Sequence, residues 1–188
     1  MLKHLVEEAR YVEITGFRNV NVEKPDELLK TVRGGKLANF SVQFFSADVI
    51  ATWEHLYFAV LDALMVFRTK RNISNSLAVE IMLYASAQRQ IKKAIGLVGV
   101  TAGCADIAVV VVGESQAVIK SALAAISRHF GKKPDEHVLE LSPAKTQNIR
   151  KAFAISENEL AVVTKQGNVE RALVDLVVER MALLSTRL

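Results

Sequence analysis

Little in this chain lends itself to crosslinking, disorder or membrane insertion. A single cysteine, Cys104, excludes an intramolecular disulfide and suits a reducing compartment. Only 9 glycines and 3 prolines occur in 188 residues, too few for a low-complexity or disordered chain. The longest aliphatic run, Ile107 to Val112, is far too short to span a bilayer. Lys3, Glu7, Glu8 and Arg10 interrupt the first ten residues, which cannot supply the apolar core of a signal peptide. No internal repeat and no Ser/Gly-rich linker divides the chain. These absences predict a cytoplasmic protein with no membrane contact, its residues 1–188 forming one domain. Hydrophobic residues make up 51% of the chain, enough for a substantial core.

Catalytic constellations are also missing. The four histidines, His4, His55, His129 and His137, are dispersed, and none stands at metal-ligand spacing from a second ligand. Cys104 has no adjacent base and lies among small residues, the setting of a packing cysteine. Val112-Gly113-Glu114-Ser115 offers one glycine where a dinucleotide loop needs three, and Glu114 would repel phosphate. Gly96, Gly99 and Gly103 precede a strand and read as loop glycines. The reading is therefore a protein with no catalytic residues, no metal and no cofactor.

What the chain does have is unevenly placed positive charge. The total is +4, yet the segment from Arg68 to Lys93 alone carries +5. Its six cations are Arg68, Lys70, Arg71, Arg89, Lys92 and Lys93, and its one acid is Glu80. A segment holding the whole excess fits an anion-binding patch; a solvated basic helix face would give the same count. Asn72, Gln88 and Gln90 add groups that bond base edges in both senses, Arg71 and Arg89 can clamp phosphates, and Ile73 offers an apolar face. Single-stranded RNA is recognised by such a mixture, although ordinary exposed helix also accounts for the two glutamines. Convergence of Arg71 and Arg89 requires the chain to double back after Ala85.

Hydrophobic periodicity predicts strands at Tyr11–Phe17, Phe40–Phe45, Ile107–Val112 and His137–Leu141. Helices are expected from Pro25 to Val32, stopped by Gly34-Gly35, and from a Ser46 or Asp48 cap to Arg68. Further helices are expected at Asn75–Ala85 with Ser74 as cap, Gln88–Ile95 closing on Gly96, and Ser115–Phe130. Ser142-Pro143, the capping box Ser156-Glu157-Asn158-Glu159, and Asn168 to Ser185 mark the last three. The expected class is α+β: a two-layer sandwich, its small sheet of about four strands mostly antiparallel or mixed and covered by helices. A split β-α-β arrangement with a central helical insertion accommodates that order.

Several of these stretches also carry a family resemblance. Phe44-Phe45-Ser46-Ala47-Asp48, Glu54-His55-Leu56, Arg71-Asn72-Ile73-Ser74, Glu80-Ile81-Met82-Leu83-Tyr84-Ala85-Ser86 and Arg89-Gln90-Ile91 resemble the CGI one-twenty-one (TPRKB) family. The resemblance extends over nearly the whole chain, to Gly16-Phe17, the Val109–Gly113 strand and Glu179–Leu184. That family is the kinase-binding, regulatory subunit of the KEOPS complex, which installs threonylcarbamoyladenosine beside the anticodon of certain tRNAs. The resemblance implies a non-catalytic subunit that binds the complex's small kinase-like ATPase. It also implies recruitment of tRNA through the single-stranded CCA end, for a separate threonylcarbamoyl-transferring subunit reached only indirectly. By resemblance the RNA-contacting positions are Lys70, Arg71, Asn72, Ile73, Ser74, Gln88, Arg89 and Gln90, while no kinase-binding residue carries over. Family members often have glycine after the Ala-Ser pair, where this chain has Ala87; a left-handed backbone there would strain alanine. The alternative is a pure protein-interaction adaptor that regulates the kinase without touching RNA. A small-molecule enzyme built on Ala105–Glu114 lacks any acid/base pair there.

Overall fold

The structure, a computed structural model, describes residues 1–25, 28, 39–164 and 167–186. Apart from Pro25 and Leu28, the helix expected to Val32 and its Gly34-Gly35 stop lie outside the described residues. In chain order the elements are β1 (Leu2–Leu5), β2 (Arg10–Phe17), β3 (Phe40–Ser46), α1 (Trp53–Arg68), α2 (Leu77–Ala85) and α3 (Ile91–Val98). There follow β4 (Ile107–Gly113), α4 (Gln116–Phe130), α5 (Pro143–Ala152), α6 (Glu157–Val163) and α7 (Val169–Ala182). The chain divides into two compact units, one of Met1–Ala47 with Val100–Val138, the other of Asp48–Gly99 with Leu139–Leu188.

The first unit is the α+β sandwich. Its sheet has the order β1-β2-β4-β3 and is antiparallel throughout. β4 is a continuous apolar run, an inner strand with all seven residues buried. It pairs Val112 with Val12 on one side and Val111 with Val42 on the other. β2 and β3 thus run the same way with β4 threaded between them, the split arrangement expected from the sequence. The helical insertion α1–α3 leaves the chain between β3 and β4. α4 packs on β2, β3 and β4, and Ile119, Ala122 and Ile126 meet Phe17, Val42, Phe44, Val109 and Val111 in one core. Burying each large side chain of that core contributes about 1.5–3 kcal/mol. Ser115 caps α4 by accepting from the Val118 N–H at 3.3 Å, so Val112–Ser115 is a plain strand-to-helix turn.

The strand count of four is met with different members. β1 is a strand the sequence reading leaves out: four residues containing Lys3 and His4 carry too little apolar pattern to register. It forms because a 3-10 turn at Val6–Glu8 and a left-handed Ala9, φ +47°, fold it back onto β2. Conversely, His137–Leu141 is not a strand. Glu136–Leu139 is a 3-10 turn, capped by the Asp135 Oδ1 accepting from the His137 N–H at 3.0 Å. Val138 there packs against Gly16, where an added Cβ would lie 2.7 Å from the Val138 Cβ and 2.9 Å from the Ile107 carbonyl oxygen. The apolar alternation of that stretch reports this packing.

The second unit is helical: α1, α2, α3, α5, α6 and α7. α1 begins later than a Ser46 or Asp48 cap would place it. Ala47–Val49 is a 3-10 turn, and Thr52 is the cap, accepting from the Glu54 N–H at 3.2 Å. α2 is capped at Ser76, not Ser74. The third helix starts and ends three residues later than expected: Gln90 is its cap, Gly96 lies inside it, and Gly99 terminates it. Ser142 and Ser156 cap α5 and α6 as the sequence predicts, the second with the full capping box. α2 is apolar nearly all round, and Ala78 and Glu80–Ala85 are buried. Its two ends emerge as loops, and those loops are the basic junctions of the sequence.

Candidate nucleic-acid interface

Two loops flank α2, and each begins with the same helix-ending device. After α1 the Lys70 N–H bonds the Phe67 carbonyl at 3.2 Å and the Arg71 N–H bonds the Val66 carbonyl at 2.9 Å. After α2 the Ala87 N–H bonds the Tyr84 carbonyl at 2.8 Å and the Gln88 N–H bonds the Leu83 carbonyl at 3.0 Å. Both are Schellman motifs, which place one residue in the left-handed region, usually glycine. Here those residues are Lys70, φ +57°, and Ala87, φ +51°. The left-handed backbone anticipated at Ala87 is therefore present, and alanine bears it.

The side chains assigned to RNA fall into two groups. Lys70, Arg71 and Ile73 are exposed and Asn72 and Ser74 half-buried in the loop before α2. Arg89 and Gln90 are exposed and Gln88 half-buried in the loop after it. The groups stand at opposite ends of a nine-residue helix, about 13 Å of rise. The Asn72 amide donates to the Ser74 carbonyl at 3.0 Å, and the Ser74 hydroxyl accepts from the Ser76 N–H at 3.2 Å.

Two residues that the sequence reading passes over hold these loops. Glu80, the lone acid of the segment, has no exposed surface. Its carboxylate accepts from the Ile73 N–H at 3.1 Å and the Ser74 N–H at 2.7 Å. The available signal was its position among Ala78, Val79, Ile81 and Met82: an acid in a wholly apolar helix must find donors indoors. His55 does the equivalent at the other end. Its Nδ1 accepts from the Ala51 N–H at 3.2 Å, which leaves Nε2 to donate to the Ala85 carbonyl at 2.7 Å. This ties the start of α1 to the end of α2, so the two helices run antiparallel. Burial holds the His55 pKa down at about 4, and the neutral ring is the form both bonds require.

Tyr84 lies one turn beyond Glu80 on α2. Its phenol is pushed up to about 12, by burial first, then by Asp62 and Glu80, with Arg89 opposing. Arg89 and Glu80 thus act electrostatically on a common neighbour, in opposite senses. Asp62 on α1 is itself raised by burial to about 6.

The cations differ in what they do for their helices. Arg68 ends α1, where a positive charge is stabilising by about 0.3–1 kcal/mol. Arg89, Lys92 and Lys93 surround the N-terminus of α3, whose first turn contains no acid. Positive charge there opposes the helix dipole, so helix stability gives no reason for it. Together with the positive end of the helix dipole it forms a region of positive potential, beside exposed Ile91 and Ile95. Among the described residues no group of three or more His, Cys, Asp or Glu is placed to hold a metal ion, and no helix is long and apolar enough to cross a membrane.

Comparison with known proteins adds two findings. The family described as kinase binding protein CGI-121 matches residues 17–185 of this chain. A protein described as regulatory protein Cgi121, from Methanocaldococcus jannaschii, is 31% identical over 134 residues, covering 68% of this chain and 84% of the relative.

Proposed function

This chain belongs to the CGI-121 family of kinase-binding proteins, and on that premise we propose that it is a non-catalytic subunit of KEOPS that binds the small kinase-like ATPase and recruits tRNA by its single-stranded CCA end. The observation that carries the RNA part is the placement of Arg89, Lys92 and Lys93 at the α3 N-terminus, unexplained by helix stability. The loop before α2 supports it, with exposed Lys70 and Arg71 beside Ile73 and Asn72. Charge, an apolar face and amide groups together suit the phosphates and splayed bases of an RNA end.

The test is Arg71→Ala combined with Arg89→Ala, titrated with tRNA over a range of salt. Removing one cation that neutralises a phosphate of a single strand flattens the log–log salt dependence by about 0.7. The double variant therefore binds more weakly, with a slope shallower by about 1.4, and keeps its fold, since both side chains are exposed. An unchanged slope and affinity would refute RNA contact at these residues.

The exposed pair Ile91 and Ile95, one turn apart on α3, favours a second reading in which the same surface meets an acidic face of a protein partner. That reading predicts that the double variant loses the kinase while tRNA affinity is absent from the start.

A further inference from the structure

Between Arg68 and Lys93 the chain places a single acid, and it buries that acid completely. A buried carboxylate is costly unless it is hydrogen-bonded, and its bonds to N–H groups are stronger than those between neutral groups. The Glu80 carboxylate oxygens accept from the backbone amides of Ile73 and Ser74, at 2.7–3.1 Å. Ile73 is 37% exposed, so the acid holds a residue's backbone from inside while part of that residue meets solvent. Arg71 and Asn72 precede it directly, and the Asn72 amide is fastened to the carbonyl of the other held residue, Ser74.

We propose that Glu80 is a positioning residue for RNA: its buried carboxylate fixes the Asn72–Ser74 backbone, so that Arg71, Asn72 and Ile73 are presented to the RNA end in one arrangement. The proposal rests on the RNA-binding reading of this surface. Glu80 acts on binding in two opposed ways. As a negative charge inside a basic segment it weakens attraction for RNA. As a latch it removes loop freedom that binding would otherwise have to remove. The sign of the change on neutralising it separates the two. Glu80→Gln keeps one oxygen acceptor and deletes the charge. If the charge dominated, the variant would bind RNA more tightly; because the latch dominates, it binds more weakly, by about tenfold.

The experiment measures tRNA affinity and amide hydrogen exchange for the wild type, Glu80→Gln and Glu80→Asp, well below their melting temperatures. The expected result is weaker binding by Glu80→Gln, with faster exchange at Ile73 and Ser74 and unchanged protection at Ile81–Ala85. Glu80→Asp, which keeps the charge on a shorter arm, falls between it and the wild type in both readouts. Equal or tighter binding by Glu80→Gln overturns the positioning role and leaves RNA binding intact. A wild type that does not bind tRNA overturns both. Loss of the folded state in both variants makes Glu80 a folding residue and also overturns the proposal.

Discussion

Changing His55 to Gln tests how the second loop is held. The neutral ring accepts one hydrogen bond and donates another with no exposed surface, and a proton on Nδ1 would abolish the bond from Ala51. The folded-state pKa of about 4 lies below the ordinary 6.5, through burial first, with the bond to Ala85 opposing and Lys145 assisting. The unfolded chain therefore takes up a proton near pH 6.5, while the folded chain resists until about 4. Stability is complete above the unfolded value, falls as pH drops through this window, and levels off below it. At 1.36 kcal/mol per unit the full loss is about 3 kcal/mol, most of which has occurred by pH 4.5. Glutamine offers both an acceptor and a donor but does not titrate. Urea denaturation followed by far-ultraviolet circular dichroism reports chiefly on the helical unit, where His55 lies. The stability advantage of the wild type over His55→Gln should shrink by about 2–3 kcal/mol between pH 7.5 and pH 4.5. Asp62, raised to about 6, shifts stability the other way, its contribution fading as pH rises through that value. It is common to both proteins and cancels in the difference. Parallel curves for the two proteins would refute a neutral, buried His55 as the tie between α1 and α2.

Ala87→Gly relieves a left-handed alanine, φ +51°, worth about 1–2 kcal/mol, against about 0.5–1 kcal/mol of added freedom in the unfolded chain. The net is a gain of about 0.5–1 kcal/mol, read as a rise of about 1–4 °C in melting temperature, and a fall would show that the turn is not strained. Gly16→Ala drives a Cβ to 2.7 Å from Val138 and 2.9 Å from the Ile107 carbonyl oxygen. Denaturation should show a loss of about 3 kcal/mol or failure to fold, and wild-type stability would contradict the close approach.

Much of this architecture is legible in the sequence because its signals are local. The valine run of β4, Ser142-Pro143 and the capping box at Ser156 each announce their element without reference to the rest of the chain. Two of the failures occur where a distant residue decides. β1 depends on β2 for its pairing, and the 3-10 turn at Glu136–Leu139 borrows the look of a strand from the packing of Val138 on Gly16. α3 starts at Ile91, not Gln88, because the Schellman motif that ends α2 consumes Ala87 and Gln88. That shift matters for the proposed site, since it carries Lys92 and Lys93 from the second turn of the expected helix into the first turn of α3 and leaves Arg89 just before its cap. At the candidate interface the exposed residues were identifiable from charge and residue type. The apolar neighbours of Glu80 signal that its acid is buried, but neither its partners nor those of His55 are legible, because each acts through backbone groups that no side-chain pattern reveals.

The most direct test compares gel-shift affinity for one tRNA with its CCA end intact and with that end removed, at fixed salt. End recognition by the loops around α2 predicts that trimming abolishes most of the binding, and that Arg71→Ala with Arg89→Ala weakens the intact tRNA toward the trimmed level. Equal affinity for the intact and trimmed forms would contradict the account.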